Sequence, residues 1–414
     1  MSSTEVGTEG SAPCRVLFLT LDYPPDRGGM ARLYAELTRN FPRDGVRVST
    51  VATGGGVNAV GRLSAIPGVP VQRMPFTFRE ARRLASVVRW ARWSAHAVRA
   101  EGVSVLHVGN IRPAGYVAAW LSLRLRVPYL IYVHGADLYR ERRKCRESRV
   151  KRIISRLIFG RADSIVANSR HTATMARKLL DQLGIGDRGQ VRVVHPGADP
   201  GRFRPRSDRS PRAQLGLDPE AGPVILSVGR LVSRKGFDTA LEAVARLAPR
   251  FPGLVYLIAG TGPDRGRLQR NAEGLGIASR VRFLEDVREE ALPGLYAGSD
   301  IFVMLAREEP EVEEVEGFGI VYCEASAAGL PVVAADSGGV ADAVRHGVNG
   351  FLVPPRDPEA AANALADLIE DPVLRRAMGK AGRLLVEEYY NWDRAAREVW
   401  EISLGLARTR RRVR

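Results

Sequence analysis

The chain is 414 residues long and 45% hydrophobic, and its 62 Lys or Arg against 46 Asp or Glu leave a net charge of +16. That length exceeds what one hydrophobic core usually fills, so two domains of about 200 residues each are expected. No apolar run nears the ~20 residues of a membrane-spanning helix, and the only cysteines, Cys14, Cys145 and Cys323, lack the spacing of a disulfide scaffold or a cysteine-based zinc site, which suits a reducing cytoplasm.

Residues 1–14, MSSTEVGTEGSAPC, have neither the basic start nor the apolar stretch of a secretory signal and read as a flexible tail. From there short β-rich runs alternate with helical patterns: RVLFLT, RVSTVA, VSVLHV, PYLIYVH and SIVANS over 15–200, then PVILSVG, VYLIAG, VRFL, DIFVML, PVVAAD and FLVP over 221–385. Near-continuous apolar strands between helices mean parallel sheets covered on both faces. The fold class is therefore α/β, two doubly wound Rossmann-like domains, with the Pro-, Gly- and charge-rich stretch 201–220 as linker. Residues 386–414 read as a helix and a basic tail, a solvated terminus.

Charge divides unevenly along this order. Residues 1–200 hold 32 basic against 15 acidic side chains, and by subtraction the rest hold 30 against 31. A chain binding nucleic acid along its whole length predicts no such split, and no nucleic-acid-binding module is recognisable, so a basic face on one domain is expected and no nucleic-acid partner.

In open α/β sheets ligands bind beyond the carboxyl ends of the strands, so the loops there carry the chemistry. After the first strand, LTLDYPPDRGGMARLYAEL sets Gly28 and Gly29 before an amphipathic helix, which serves either a tight turn or the close approach of an anion to helix amides. Neither the GxxxxGK[ST] loop nor the spaced dinucleotide fingerprint is present. Residues 78–100 join Arg79, Arg82, Arg83, Arg89, Arg92 and Arg99 to Trp90 and Trp93 on one expected helix. With the second basic run, YRERRKCRESRVKRIISRLIF, this suits an anionic membrane surface and equally an arginine-rich solvated face. His134 ends the strand PYLIYVH, where a histidine is either structural or within reach of a ligand.

Past the linker, SVGRLVSRKGFDTALEAV sets Arg230 and Lys235 five positions apart before a helix, which suits a diphosphate. The acids from Glu308 to Glu314 read as a solvated loop. Glu316 and Glu324 stand eight residues apart with GFGIVYC between them. If that interval is helical it rises about 12 Å, too far for the paired carboxylates of a glycosidase. The two acids are then expected to touch different parts of one long ligand, accepting hydrogen bonds as sugar hydroxyls require.

Together, EGFGIVYCE as E-x7-E, VGRLVSRKG upstream, SGG at Ser337 to Gly339 downstream, YVHG at His134 and the Gly-Gly loop resemble the family 4 retaining glycosyltransferases of the GT-B fold, in the family's order over about residues 15–400. EVEGFGIVYCEA is similar to the actinobacterial mannosyltransferases that act on phosphatidylinositol mannosides. The resemblance implies two domains facing a central cleft, 15–200 binding the acceptor and 221–385 the nucleotide sugar. Arg230 and Lys235 would hold the donor diphosphate and stabilise charge on the leaving group. Glu316, with the backbone of Gly317, Phe318, Gly319 and Ile320, would hold the transferred sugar, Glu324 the ribose hydroxyls and Val287 the base. Gly28 and Gly29 would face the phosphate and acceptor. His134 would contact the sugar near the reacting carbon, so that His134, Arg230, Lys235 and Glu316 form the catalytic set. Asp22, Asp137 and Ser169 would lie on the acceptor side, and His195 in VVHPGAD would be a structural linker position. The loop FLEDVREEAL departs from the family pattern in Glu285 and Asp286, where small residues are expected, and leaves the base open.

The function implied is retaining transfer of a hexose, of mannose, glucose or N-acetylglucosamine type, from a nucleoside-diphosphate sugar to a hydroxyl or amine acceptor. GDP-mannose and a lipid or lipid-linked acceptor fit best, in the cytoplasm and peripheral to the inner membrane face. With no evident nucleophile, same-face substitution is expected, the leaving phosphate helping to deprotonate the acceptor. The cationic pair stands in for a metal ion, so neither metal nor cofactor is expected, and the cleft should close around the donor. Transfer from a UDP-sugar to a soluble natural-product precursor, and a sugar-nucleotide epimerase or hydrolase on the same fold, are the alternatives.

Overall fold

The computed structural model describes residues 14–26, 28–42, 45–52, 66–205, 212–213, 216–218, 222–285, 287–309 and 311–412. Most of the expected N-terminal tail and much of the expected linker lie outside the described residues.

Seven strands build the first sheet: β1 (Val16–Leu19), β2 (Val46–Ala52), β3 (Val71–Thr77), β4 (Val105–Val108), β5 (Tyr129–Val133), β6 (Ser164–Ala167) and β7 (Val191–Val193). Their order is β3-β2-β1-β4-β5-β6-β7, every pairing parallel. Every residue of β1, β4, β5 and β6 is buried, as continuous apolar runs between two helical layers require. The second sheet holds β8 (Val224–Val228), β9 (Val255–Ala259), β10 (Val281–Leu284), β11 (Ile301–Met304), β12 (Val332–Ala335) and β13 (Gly350–Val353), ordered β10-β9-β8-β11-β12-β13 and again parallel. In both sheets the order reverses beside the first strand, which makes the loops after β1 and β4 and after β8 and β11 the places for a ligand. The expected strands are all present. The two not expected, β3 and β7, are the edges of the first sheet, where one side is open and the continuous apolar signal is lost.

Within the first domain, α1 (Gly29–Arg39) covers one face of the sheet. On the other lie α2 (Leu84–Ala100), α3 (Ala114–Leu125), α5 (Arg149–Arg161) and α6 (Arg170–Gln182), with α4 (Ala136–Glu147) between α3 and α5 in sequence. The period of a strand divides β1 between the two layers, Leu17 and Leu19 facing α2 and Phe18 facing α1. Trp90 does not belong to an exposed interfacial face of α2. It is fully buried, and its Nε1 donates to Ser49 Oγ at 2.8 Å.

The terminus is not solvated either. The last helix, Trp392–Arg412, crosses back from the second domain and packs beside α1, burying Trp392, Ala395, Ala396 and Val399 in the first domain. Trp400 packs at a tilt against Phe41 and lies so close to Gly45 that a Cβ there would meet the indole at 2.7 Å. Ser403 Oγ donates to Val399 O at 3.0 Å, so it must accept from His107 Nε2 at 2.8 Å, and Tyr132 then donates to His107 Nδ1 at 3.0 Å. Burial holds that histidine neutral, pushing it down to about 3. The crossing segment runs against the interdomain stretch: Ala198 N donates to Tyr390 O at 2.8 Å, and a Cβ on Gly197 would lie 2.6 Å from the facing backbone.

The last helix is thus part of the first domain's core. Trp392→Ala is expected to lower stability by about 3–5 kcal/mol, as removal of a buried aromatic does. The denaturation midpoint followed by circular dichroism checks this, and an unchanged midpoint would place the helix outside the core.

Candidate active site

The second domain supplies the charged side of the cleft. After β8 the chain makes a tight 3-10 turn, Ser233–Lys235, and reaches Gly236 at φ 69°, where a Cβ would sit 1.9 Å from Leu305 O. Glycine alone fits there, and the helix Phe237–Leu247 starts from it. This geometry buries Lys235, whose Nζ donates to Glu316 Oε2 at 2.5 Å, while Arg234 donates to the same oxygen at 2.9 Å. Burial alone would push the Glu316 carboxyl up, but the Lys235 and Arg234 charges hold it down at about 2. Burial pushes Lys235 the other way, below the usual lysine range, against the pull of Glu316. Arg230 differs. Its side chain is exposed and has no acidic partner among the described residues.

The acids from Glu308 to Glu314 form a network rather than a solvated loop. Glu309 accepts from Ser233 Oγ at 2.7 Å and from Arg307 Nε at 3.1 Å, and Glu314 pairs with Arg234 at 2.8 Å. Glu308 and Glu313 reach the first domain, at Tyr139 and at Arg143 (3.3 Å). Buried Arg307 ties the loop to the turn, its amide donating to Arg234 O at 2.7 Å and its guanidinium to Ser233 Oγ and Asp238 at 2.8–2.9 Å. Among the described residues of this run, Glu311 and Val312 are the exposed ones.

Glu316 precedes the helix Ile320–Ala327 and Glu324 lies inside it, so the two acids meet different partners. Glu324 is 1% exposed, accepts from Tyr296 Oη at 2.8 Å, and its other oxygen faces Arg32 on α1, across the cleft. Gly317 stands where the domains touch: a Cβ on it would lie 2.1 Å from His134 O and 2.8 Å from Asn168 Nδ2. Gly319 at φ 89° leads into the helix with half-buried Ile320 as its first residue, and Phe318 packs in the core against His195, 5.7 Å between ring centres. Val287 is half-buried on the loop after β10; on the same loop Glu285 pairs with Arg265, and Asp286 is outside the described residues.

The first domain faces this side with Gly28, Gly29, Asp22 and His134. Gly28 precedes α1 with φ 150°, no side chain caps the helix, and a Cβ on either glycine would meet nothing within 4 Å. The amides of the first turn therefore open onto free space, as an anion would need. Asp22 accepts from Asn110 Nδ2 at 2.7 Å. Tyr34 donates its only hydroxyl proton to Gly109 O, so it must accept from His134 Nε2 at 2.6 Å. Burial lowers the histidine's pKa even against Asp137 and Asp22, so the ring is neutral, and Nδ1 is its acceptor nitrogen, without a partner among the described residues.

Two acceptor-side expectations fail on geometry. Ser169 is fully buried as the cap of α6, accepting from Thr172 N at 3.0 Å and donating to Thr172 Oγ1 at 3.1 Å. Asp137 turns back on its own loop, accepting from His134 N at 3.0 Å and Leu138 N at 2.9 Å, and so positions His134 instead of meeting a ligand. The sequence reading missed Arg234, which stands beside Lys235, and Arg32 and Arg307, whose partners lie far along the chain. His195 is held between the domains: its Nε2 meets Asp342 at 2.8 Å and its Nδ1 meets Tyr389 Oη at 3.0 Å. Asp342 also accepts from Arg170 N at 2.6 Å and Nε at 2.7 Å; burial would raise this carboxyl, but its hydrogen bonds hold it at about 2.

Comparison with known proteins agrees with this architecture. The profile for Glycosyltransferase Family 4 matches residues 27–202, and that for Glycosyl transferases group 1 matches residues 212–385. Over 395 residues the chain is 30% identical to the GDP-mannose-dependent alpha-(1-6)-phosphatidylinositol monomannoside mannosyltransferase of Mycobacterium tuberculosis, covering 94% of this chain and 98% of that one. The chain belongs to the family 4 glycosyltransferases. This glycosyltransferase is also 33% identical to the D-inositol 3-phosphate glycosyltransferase of Salinispora tropica, over 91% of this chain and 81% of that one. Its GT-B fold matches Anabaena HepE in complex with UDP and glucose (TM-score 0.74, 23% identity, 94% and 99% of the two chains). It also matches the sucrose-phosphate synthase of Thermosynechococcus elongatus (TM-score 0.78, 22% identity, 95% and 99%). The glycosyltransferase thus uses a nucleotide sugar as its donor.

Glu316 and Asp342 both sit below their ordinary carboxyl values of 4.5 and 3.8, so the stability they add is present above those values and is lost as pH falls toward about 2. Asp342→Asn should be less stable at neutral pH yet lose less on acidification over that window. Parallel pH–stability curves for the two proteins would contradict the pairing.

Proposed function

We propose that this enzyme transfers mannose from GDP-mannose, with retention at the anomeric carbon and without a metal ion, to a lipid-linked acceptor at an anionic membrane surface. The observation that carries the donor half is the pair Arg234 and Lys235 held on Glu316, with exposed Arg230 on the loop after β8 and without an acidic partner among the described residues. A diphosphate entering beside Arg230 gives Lys235 and Arg234 a doubly charged partner, releasing Glu316 to accept from hydroxyls of the transferred sugar. Glu324 accepts from the ribose. The bond from the anomeric carbon to the phosphate oxygen then breaks, its electron pair passing to an oxygen that the cations neutralise. The acceptor hydroxyl bonds to the same face of that carbon and its proton passes to the leaving phosphate. Neutral His134 accepts a hydrogen bond from a sugar hydroxyl at Nδ1, and Asp22 lies on the acceptor side. Three cations supply the charge a metal ion would otherwise bring. GDP-mannose and a lipid acceptor are favoured by the mycobacterial relative, whose name states both.

The membrane half has its own support. No helix among the described residues is long and apolar enough to cross a bilayer. Yet the first domain exposes large apolar side chains on α2, α3 and α5: Leu84 (79%), Trp120 (39%), Leu123, Val150, Ile153 (67%) and Leu157. α2 packs on α3 and α3 on α5, so these positions share the layer opposite α1. Arg89, Arg92, Arg124, Arg152 and Arg156 are exposed on the same three helices, and Arg83 is exposed just before α2. Apolar and cationic side chains on one face suit an anionic bilayer.

Lys235→Ala is expected to reduce turnover of GDP-mannose about 10²–10³-fold, the usual effect of removing one charge-stabilising donor, with the fold retained. Undiminished turnover would remove Lys235 from the mechanism, an inverted product anomer by NMR would refute retention, and donor turnover without any acceptor would favour the epimerase or hydrolase. In flotation with vesicles of phosphatidylglycerol and phosphatidylcholine, wild type should bind and a Leu84→Glu, Ile153→Glu double variant should bind at least tenfold less. Equal recovery with neutral vesicles, or none with either, would point to a soluble acceptor.

A further inference from the structure

Arg32 follows the Gly28–Gly29 pair by one helical turn, and among the described residues it makes the one ionic contact to Glu324. It lies one turn into α1, with only 17% of its side chain exposed, and its guanidinium sits 5.5 Å above the Phe203 ring. Across the cleft it pairs with Glu324 Oε1, while Tyr296 holds Oε2 at 2.8 Å. Apart from the Arg32 guanidinium beside it, Glu324 Oε1 has no hydrogen-bond partner among the described residues, and neither does Arg32 Nε, although both atoms are buried. A carboxylate offers about four lone-pair sites. One goes to Tyr296, Arg32 fixes the tilt of the group, and Oε1 keeps room for further donors.

We propose that Arg32 is a positioning residue for Glu324, holding its carboxylate aimed at the two ribose hydroxyls of the donor, so that nucleoside recognition is complete only while α1 of the first domain rests against the second. This rests on the reading that Glu324 accepts from the ribose. Two features distinguish it from a plain structural bridge. The pair joins the two domains rather than two elements of one core, and it leaves a buried carboxylate oxygen unsaturated, which is costly unless a ligand supplies the hydrogen bond. A planar guanidinium on a side chain pinned against Phe203 also orients a carboxylate in a way a mobile ammonium does not.

The test compares GDP with 2′,3′-dideoxy-GDP by calorimetry on wild type, Arg32→Ala, Arg32→Lys and Glu324→Gln. Wild type should prefer GDP by about 10–100-fold, two hydrogen bonds to a charged acceptor being at stake. In Arg32→Ala that preference should shrink at least fivefold while affinity for the dideoxy compound changes less than about twofold, and Arg32→Lys should recover part of it. Equal weakening of both nucleotides in Arg32→Ala would mean a merely structural bridge and overturn the proposal. Loss of the preference in Glu324→Gln but not in Arg32→Ala would overturn this inference alone. No preference in wild type, or no binding of GDP, would overturn the ribose reading of Glu324 and this inference with it.

Discussion

The site is organised by one buried charge, the Glu316 carboxylate held by Lys235 and Arg234. Removing such a group from water is costly, and replacing a buried pair with apolar side chains is often as stable or more so. The surrounding structure is nonetheless arranged to keep it. Gly236 permits the turn that brings Lys235 inward, and Arg307 pins that turn from below. Glu309 pairs with Arg307, and Glu314 gives Arg234 a second acidic partner. The result is a set of cations already desolvated and fixed at the carboxyl end of β8, where a diphosphate needs no large rearrangement to be neutralised.

The same loop carries the contact between domains. Gly317 follows Glu316 and lies against the His134 carbonyl, Glu308 and Glu313 reach α4, and Glu324 reaches α1. Donor-binding groups and interdomain contacts are thus the same residues or their neighbours. Asp342 ties His195, Arg170 and, through its carbonyl, Tyr390 at the place where the chain crosses twice between domains. A ligand that rearranges the Glu316 or Glu324 pairs changes the balance of contacts across the cleft, which couples binding to domain movement without a separate device.

Much of this was legible in the chain. The strands of both sheet centres are apolar but for single buried polar residues such as His107 and Ser227, and the glycines and cations stand at strand-to-helix junctions, so the fold and the outline of the site follow from local pattern. The edge strands β3 and β7 escaped because an edge relaxes that pattern. The acid run at Glu308 to Glu314 looked solvated because its partners, Ser233, Arg307, Tyr139 and Arg143, are set by tertiary structure. Trp90 read as an aromatic residue on a basic helix and residues 386–414 as a solvated terminus, yet Trp90 and the last helix both pack inward, since helix periodicity does not say which neighbour a face meets. Ser169 could have been read as a cap, being a serine immediately before the helical run RHTATMARKLL.

The most direct test of a nucleotide-sugar site at the Glu316 cluster is thermal unfolding with GDP, GDP-mannose, UDP, UDP-glucose and UDP-N-acetylglucosamine, since a ligand that binds only the folded chain raises its melting temperature. The account predicts a concentration-dependent rise with GDP and GDP-mannose that exceeds the rise with any uridine nucleotide. A larger rise with UDP-glucose would overturn the donor assignment. No rise with any of the five would contradict a donor site in this cleft.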